Sequence, residues 1–281
     1  LMLADASFAA IEKMLAEKPL TETKKLPVPQ NGEIRLDHVS FQYEAGVKAL
    51  DDVSLTIRPG TVTALVGESG GGKSTVANLI ARFWDVSEGS VTVGGVDVRK
   101  LDYADLMKHI SIVFQDTNLF KMSVAENVAM YKPGASREEI MEVLRQAQCE
   151  DILEKLPNGV DSVIGARGVY LSGGEMQRIA LARAILKDAP IVLLDEATAF
   201  ADAENEYLIQ RALDILLHGK TVLMIAHRLQ TIVHADQIIV MQRGGIAEQG
   251  THEELMQRQG VYAKMYHEYE NSVSWKIGGW A

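Results

Sequence analysis

The sequence contains a single cysteine, Cys149, and no apolar run near the eighteen or so residues that a membrane-spanning helix needs. One thiol cannot form an internal disulfide, which fits a reducing compartment, and we interpret Cys149 as a packing residue. No secretory signal is visible. Acidic residues outnumber basic ones, 38 to 28, and no basic run is interleaved with aromatic residues, so we expect no nucleic-acid partner. These absences leave a globular chain of 281 residues whose 47% hydrophobic content can form a sizeable core.

Residues 67–75, here called the phosphate loop, fit the pattern G-x-x-x-x-G-K-[ST]. An apolar run at 62–66 predicts a buried strand before the loop, and residues 76–82 predict a helix after it. The loop glycines let successive backbone N–H groups converge on one anion. Lys73 would then reach the β- and γ-phosphates of a nucleotide, and the Ser74 hydroxyl would ligate Mg²⁺. A chance glycine-rich turn is the alternative, which the flanking strand and helix disfavour.

Apolar periodicity divides the rest of the chain into three parts. Alternation from Glu33, with strand-like runs at 53–57 and 90–93, predicts an antiparallel sheet beside the phosphate loop. Helical patterns at 123–130, 137–148 and 151–156 predict a helical subdomain over about residues 116–182. Beyond Leu171, helices and very apolar strands alternate, which predicts a mainly parallel sheet covered by helices. Its elements are predicted at 172–186, 191–194, 204–217, 221–225 and 237–241, and one more strand is predicted at 110–114, before the helical patterns.

The two ends of the chain are expected to lie outside this domain. Apolar spacings of three and four predict a helix over residues 1–18, followed by a proline-containing linker at 19–32. That helix either packs on its own domain or ends a longer helix from a preceding domain. Because the chain opens on Leu1, we expect a piece of a longer protein, with Met2 as an alternative start. The tail at 271–281 shows no clear pattern and is expected to be poorly ordered.

Two carboxylates, Asp195 and Glu196, close the apolar run at 191–194. The carboxyl edge of a parallel sheet is where ligand crevices form. Asp195 can hold Mg²⁺ through water, and Glu196 can accept a proton from a water that attacks the γ-phosphate. Capping of a following helix is the alternative explanation of the pair, and the phosphate loop makes it the weaker one.

Residues 171–175, Leu-Ser-Gly-Gly-Glu, place a second glycine nest at the start of a predicted helix, and we call them the signature segment. With this segment and the phosphate loop, the chain resembles the nucleotide-binding domain of ATP-binding cassette (ABC) transporters over residues 33–270. The resemblance implies an α/β fold of the P-loop NTPase type, in which a RecA-like parallel sheet carries an antiparallel β subdomain and an α-helical subdomain. It also implies a head-to-tail dimer with a second nucleotide-binding domain. There, Ser172 and Gly174 of one domain would contact the γ-phosphate held by Lys73 of the other.

The resemblance carries functional residues over position by position. Tyr43 would stack on adenine, and the remaining ATP contacts would come from Gly67, Glu68, Ser69, Gly70, Gly71, Gly72, Lys73, Ser74 and Thr75. Contacts from the partner domain would come from Ser172, Gly173, Gly174, Glu175 and Asp202. The catalytic residues would be Glu196, His227, Lys73 and Gln115. The Mg²⁺ ligands would be Ser74, Gln115 and Asp195.

Two segments point to the exporter-type architecture within the family. Residues 115–127, from Gln115 to Asn127, resemble the surface that receives the membrane domain, and residues 250–255 are typical of that group. The resemblance therefore implies a transmembrane domain as partner and a location on the cytoplasmic face of a membrane, the bacterial inner membrane. On this view, helix 1–18 is the end of the last membrane-domain helix.

Three departures from the family pattern stand out. Glu175 replaces the usual glutamine, which puts a negative charge near a bound nucleotide and is expected to weaken closure slightly. Residues 165–168 lack the usual acid after the first glycine, so coupling to the membrane part is expected to differ. Residues 199–202 with 204–206 resemble a bacterial subgroup that handles siderophores, some members of which import.

We therefore predict an ATP-hydrolysing motor domain that dimerises around Mg·ATP and drives transport. One alternative is a soluble ABC ATPase of translation or chromosomes, but neither a second phosphate loop nor a long heptad insertion is present. Another is a low-turnover regulatory half of a heterodimer. Glu196, His227 and Lys73 argue against the second alternative, whereas Glu175 keeps it open.

Overall fold

The computed structural model describes residues 31–278 apart from 44–45, 115–116, 166–168, 196–202 and 227–228. Its strands are β1 (Ile34–Gln42), β2 (Lys48–Ile57), β3 (Val62–Val66), β4 (Glu88–Val93), β5 (Val96–Asp97), β6 (Ile110–Val113), β7 (Met122–Ser123), β8 (Val163–Ile164), β9 (Ile191–Asp195), β10 (Thr221–Ile225), β11 (Gln237–Gln242) and β12 (Gly245–Gly250). Its α-helices are α1 (Lys73–Ile80), α2 (Tyr103–His109), α3 (Val124–Ala129), α4 (Arg137–Gln146), α5 (Glu150–Lys155), α6 (Gly173–Lys187), α7 (Ala203–Leu217), α8 (His252–Arg258) and α9 (Val261–Gly278). The predicted helix 1–18 and most of the linker lie outside the described residues.

The central sheet has the strand order β12-β11-β3-β10-β9-β6, and all its neighbouring strands run parallel except the edge pair β11 and β12. Ile225 of β10 lies in register with Leu65 of β3 on one side and with Asp195 of β9 on the other. Residues 191–194 are buried, as strands covered on both faces must be. The predicted parallel sheet is therefore confirmed. It brings the ends of β3, β9 and β10 to one edge.

A second sheet, of order β2-β1-β4-β5, is antiparallel, which confirms the predicted sheet beside the phosphate loop. Its inner face shares one apolar core with helix α1. Ile34 and Leu50 from the sheet and Val76, Leu79 and Ile80 from the helix are buried in that core. The helix that follows the phosphate loop is thereby fixed between two sheets.

The helices α3 to α6 share a separate core with α7, which includes Val124, Leu144, Cys149 and Ile179. Cys149 is fully buried, in agreement with its interpretation as a packing residue, and burial raises the pKa of its thiol to about 12. Helices α3, α4 and α6 each begin with a serine whose side chain accepts a backbone N–H, while a glutamate three residues later bonds back. These capping boxes give the helical subdomain sharply defined helix starts.

The C-terminal part differs from the prediction. Residues 271–278 continue helix α9, so the expected patternless tail from 271 is wrong for these residues. The first turn of α9 is held by Glu248, whose carboxylate accepts the N–H groups of Val261 at 2.8 Å and Tyr262 at 3.0 Å. Helix α8 and strand β12 were also absent from the predicted elements. Among the described residues, none of the helices combines the length and apolar character needed to cross a bilayer.

Candidate nucleotide site

The backbone of the phosphate loop requires glycine at two positions. Gly67 has φ +133°, and a Cβ there would lie 2.0 Å from the carbonyl oxygen of Met241. Gly72 has φ +102°, and a Cβ there would lie 2.7 Å from Cδ2 of Leu50. Residues that carry a side chain rarely adopt such positive φ values. Here a side chain would also collide with β11 at Gly67 or with β2 at Gly72. The loop is therefore a tight turn of bare backbone that ends at the N-terminus of α1.

Lys73 is the first residue of α1, and its side chain folds back over the loop. Its Nζ donates to the carbonyl oxygens of Gly67 and Glu68, each at 2.8 Å. The residue is only 5% exposed. The ammonium group is thus held among backbone groups of the loop, where a phosphate bound to the loop N–H groups would meet it.

Ser74 and Asp195 both line one small cavity at the sheet edge. Ser74 is in the first turn of α1, whereas Asp195 is the last residue of β9, and Asn78 and Phe114 also line the cavity. A hydroxyl and a carboxylate are ligands that suit Mg²⁺. No group of three or more His, Cys, Asp or Glu side chains that would hold a metal occurs within the described part of the chain. The donor set fits an ion such as Mg²⁺, which takes one or two carboxylates together with substrate phosphates.

Tyr43 follows β1 and is tied to helix α1 by its hydroxyl group. The hydroxyl donates to Oγ1 of Thr75 at 3.2 Å and accepts from Nδ2 of Asn78 at 3.3 Å. Its ring packs edge to face with Phe41 and Trp84, at centroid distances of 4.8 and 5.5 Å. Tyr43 is 43% exposed, so it presents aromatic surface beside the phosphate loop. Trp84 is not identified by the sequence analysis. The sequence offers only an aromatic residue shortly after the helix that follows the phosphate loop, and its exposure is visible only in the structure.

The signature segment lies at the start of α6, and its first residue, Leu171, belongs to the core of the helical subdomain. Ser172 caps the helix: its Oγ accepts the N–H of Glu175 at 3.2 Å, and its own N–H donates to the Glu175 carboxylate at 2.8 Å. Gly174 packs closely on α7, since a Cβ there would lie 2.8 Å from Cβ of Asn205. Gly173 has no atom within 4 Å of such a Cβ. The segment is therefore rigid on the Gly174 side and open on the Gly173 side.

Glu175 has a cationic partner that its sequence context does not reveal. Lys155, in the last turn of α5, donates to the other oxygen of the Glu175 carboxylate at 3.2 Å. Burial tends to raise the pKa of Glu175, but the hydrogen bonds from the Ser172 N–H, from Lys155 and from the Ser172 hydroxyl outweigh it and hold this pKa below its ordinary range. The negative charge expected near a nucleotide is therefore compensated from within the chain.

The structure brings some of the predicted site residues together and leaves others undetermined. The phosphate loop, Tyr43, Ser74 and Asp195 lie on or beside α1, whereas residues 172–175 lie at the start of α6, a helix that packs in the other core of the same chain. Four predicted residues lie outside the described residues: Gln115, Glu196, Asp202 and His227. Their described neighbours are Asp195, which ends β9, and Ala226, which directly follows the adjacent strand β10.

A groove between β6 and α6 exposes aromatic side chains and is here called the aromatic groove. Phe114, Phe120 and Tyr131 line it and are each about half exposed. Lys187 lies over the Tyr131 ring, 4.6 Å from its centroid, and donates to the carbonyl of Ile110 at 2.6 Å. Exposed aromatic residues grouped in a groove are typical of surfaces that receive a partner.

Comparisons with family profiles, curated proteins and solved structures all point to the same family. A family profile described as "ABC transporter" matches residues 50–199. The chain is 53% identical over 235 residues to the mycobactin import ATP-binding/permease protein IrtA of Mycolicibacterium thermoresistibile, covering 84% of this chain and 26% of that protein. It is 48% identical over 235 residues to an ATP-dependent lipid A-core flippase of Legionella pneumophila, covering 84% and 40%.

Among solved structures, a bacterial Atm1-family ABC exporter with ATP bound matches with a TM-score of 0.85 and 36% identity, covering 95% of this chain and 47% of that one. The chain thus spans less than half the length of the curated relatives and of the structure named here. The predicted ABC resemblance and fold class are confirmed. The chain belongs to the ABC transporter family and is an ATP-binding, ATP-hydrolysing domain of the exporter type.

Proposed function

We propose that this chain hydrolyses Mg·ATP at an interface with a second nucleotide-binding domain and thereby drives an attached membrane domain. The geometry of the phosphate loop carries the proposal. Collisions with β2 and β11 exclude side chains at Gly67 and Gly72, so backbone N–H groups and Lys73 form the surface that an anion would meet. The N-terminus of α1 adds its dipole to that surface.

Lys73 would exchange its bonds to two loop carbonyls for bonds to the β- and γ-phosphates. The exchange retains hydrogen bonds for the ammonium while placing its charge on the phosphates. Gly67, Glu68, Ser69, Gly70, Gly71, Gly72 and Thr75 would complete the cradle. The exposed ring of Tyr43 would stack on adenine while Thr75 and Asn78 fix its hydroxyl.

Ser74, Asp195 and Gln115 would hold Mg²⁺, which when bound would neutralise charge on the phosphate oxygens. Glu196 would accept a proton from the attacking water, because it follows Asp195 at the carboxyl end of β9. His227, which follows the end of β10, would contact the γ-phosphate. Catalysis by these groups would consist mainly of positioning and charge stabilisation.

The second half of the site would come from the partner domain. Ser172, Gly173, Gly174, Glu175 and Asp202 would face the nucleotide bound by the other copy. Two properties of the described part support this arrangement. The first N–H groups of the fifteen-residue helix α6 form an anion-binding end, and the open side at Gly173 allows close approach.

The aromatic groove and residues 115–127 would receive the membrane domain. The match to ATP-binding/permease proteins implies a transmembrane partner, and the half-exposed Phe114, Phe120 and Tyr131 give that partner an apolar surface. The chain would then lie on the cytoplasmic face of a membrane, with residues 1–18 leading from the membrane domain. The relatives named above include an import protein and a flippase, so the motor role does not depend on direction. The resemblance to siderophore-handling members stays a prediction.

Two substitutions in the full chain test the proposal. Lys73→Ala should abolish or nearly abolish ATP binding measured by calorimetry. Glu196→Gln should retain ATP binding, lose turnover and accumulate an ATP-dependent dimer in analytical ultracentrifugation. Glu253→Gln removes an exposed carboxylate in α8 and serves as the control with unchanged turnover.

Undiminished hydrolysis in Glu196→Gln would remove the role assigned to that residue. Unchanged ATP affinity in Lys73→Ala would remove the phosphate-loop proposal. A wild-type chain that binds ATP and dimerises without turnover would instead support the regulatory half of a heterodimer.

A further inference from the structure

Glu175 presents an electrostatic problem at the signature segment. Its carboxylate accepts the Ser172 N–H at 2.8 Å, so any anion that bonds to Ser172 lies within a few ångströms of a negative charge. The carboxylate cannot easily avoid this by becoming neutral, because its pKa lies below the ordinary range. A phosphate could therefore approach this helix end only if another group compensates the charge.

Lys155 is the cation that lies close enough to compensate the charge of Glu175. Its Nζ bonds to Glu175 at 3.2 Å and lies 3.7 Å from the Asp151 carboxylate one turn earlier in α5. Asp151 in turn forms a paired contact with the Arg178 guanidinium, at 2.7 and 3.0 Å, and Arg178 is 1% exposed. Arg178 also bonds to the carbonyl of Gln148. Lys155 is thus joined through Asp151 to a buried cation that anchors α5 to α6.

We propose that Lys155 is a positioning residue of the composite ATP site, which neutralises Glu175 and so allows the signature segment to face a nucleotide phosphate of a second copy of this chain. The inference rests on the proposed function, because it requires the signature segment to meet the partner's nucleotide. It adds a residue outside every motif of the site, twenty positions upstream of Glu175.

The role of Lys155 concerns ligand approach more than folding. The Lys155 side chain is 66% exposed, and exposed ion pairs contribute little to stability. The Glu175 side chain is only 14% exposed, so water screens its charge less completely than it screens Lys155. Removing the lysine should therefore leave folding nearly unchanged but expose an approaching phosphate to an uncompensated carboxylate.

The experiment measures dimerisation of the full chain against the concentration of a non-hydrolysable ATP analogue with Mg²⁺, by analytical ultracentrifugation. Lys155→Ala should raise the analogue concentration for half-maximal dimer roughly threefold to tenfold, as expected for one unit charge acting across several ångströms of partly screened medium. Lys155→Arg should restore the wild-type value. In a chain that already carries Glu175→Gln, Lys155→Ala should have no effect, because glutamine can accept the Ser172 N–H without a charge.

Ionic strength and stability separate this role from a merely structural one. The defect of Lys155→Ala should shrink as salt is raised towards about 1 M, where the screening length falls to about 3 Å. Its thermal midpoint should match that of Lys108→Ala, which removes another exposed lysine from an ion pair with a nearby aspartate. Lys108→Ala should also leave the analogue concentration for dimerisation unchanged.

Three results would overturn the inference, and they show whether the positioning role fails alone or together with the proposed function. If the wild-type chain dimerises with the analogue and Lys155→Ala behaves identically, the positioning role alone fails. An equal defect of Lys155→Ala with and without Glu175→Gln has the same meaning, because the effect then does not pass through Glu175. If the wild-type chain does not dimerise with nucleotide, the proposed function fails and the inference fails with it.

Discussion

Gly174 of the signature segment lies directly against Asn205 of helix α7. A Cβ on Gly174 would be 2.8 Å from both Cβ and Cγ of Asn205, a separation that well-packed structures do not tolerate. Asn205 is in the first turn of α7, three positions after Asp202. The starts of α6 and α7 are therefore held together at a contact that has no room for a methyl group.

The first prediction is that Gly174→Ala destabilises the chain. The added methyl group must push α6 away from α7, which typically costs about 1–3 kcal/mol for an overpacked core. Chemical denaturation of the nucleotide-free chain measures the change in the free energy of unfolding. The same displacement should also reduce dimerisation with ATP, because Ser172 moves with the start of α6.

Gly173→Ala is the matched control one residue earlier. Nothing lies within 4 Å of its added Cβ, and alanine in a helix is up to about 1 kcal/mol more favourable than glycine. We therefore expect equal or higher stability for Gly173→Ala. Equal losses in both variants would show that the α6–α7 contact does not decide the effect.

The second prediction concerns Asn127, which is fully buried at the end of the segment proposed to meet the membrane domain. Its amide accepts the Phe120 N–H at 3.0 Å and donates to the carbonyls of Phe120, Met122 and Ser123. Arg183 of α6 bonds to both its backbone and side-chain oxygens, at 2.8 and 3.2 Å. Asn127 therefore ties the loop before α3 to α6.

Asn127→Ala should lower the free energy of unfolding by roughly 2–4 kcal/mol, because each buried polar group left without a partner costs about 1–3 kcal/mol. Hydrogen exchange should locate the loss at residues 119–123. Asn118→Ala, an exposed asparagine in the same segment, is the control and should change stability by less than about 0.5 kcal/mol. A loss spread evenly over the chain, or one shared by Asn118→Ala, would contradict this role.

Local sequence signals were sufficient for one half of the site. The strand, glycine turn and helix of the phosphate loop are adjacent in the chain, so their order alone predicts that a helix follows the glycine turn, and the structure shows that helix beginning at Lys73. Asp195 followed from its position at the end of an apolar run. The structure adds that Lys73 bonds to loop carbonyls, which depends on backbone conformation beyond the reach of residue patterns.

The remaining features depend on contacts between residues far apart in sequence. Lys155 reaches Glu175 across 20 positions, and Arg183 reaches Asn127 across 56. Periodicity assigns such residues to a helix but does not say which neighbour a long side chain meets. Helix α9 was missed because it is rich in residues of modest helix propensity, and it docks through buried Tyr262 and Ala263 instead.

The third prediction is a pH dependence of stability that passes through Asp151. Burial tends to raise the pKa of Asp151, but the hydrogen bonds and charge of Arg178, aided by Lys155, outweigh it and lower this pKa. A carboxyl whose pKa is lower in the folded state stabilises the fold above its ordinary pKa and loses that contribution as the pH falls through the folded-state value. Asp151→Asn removes the titrating group and should therefore remove this part of the acid destabilisation.

The free energies of unfolding of the wild type and Asp151→Asn should thus differ most near neutral pH and converge below the ordinary pKa of aspartate. Urea titrations at several pH values measure both curves. Glu154→Gln, which removes an exposed carboxylate from the same helix, should run parallel to the wild type throughout. A constant gap between wild type and Asp151→Asn at every pH would mean that Asp151 contributes by shape and hydrogen bonding alone, and that its charge does not help Arg178 join α5 to α6.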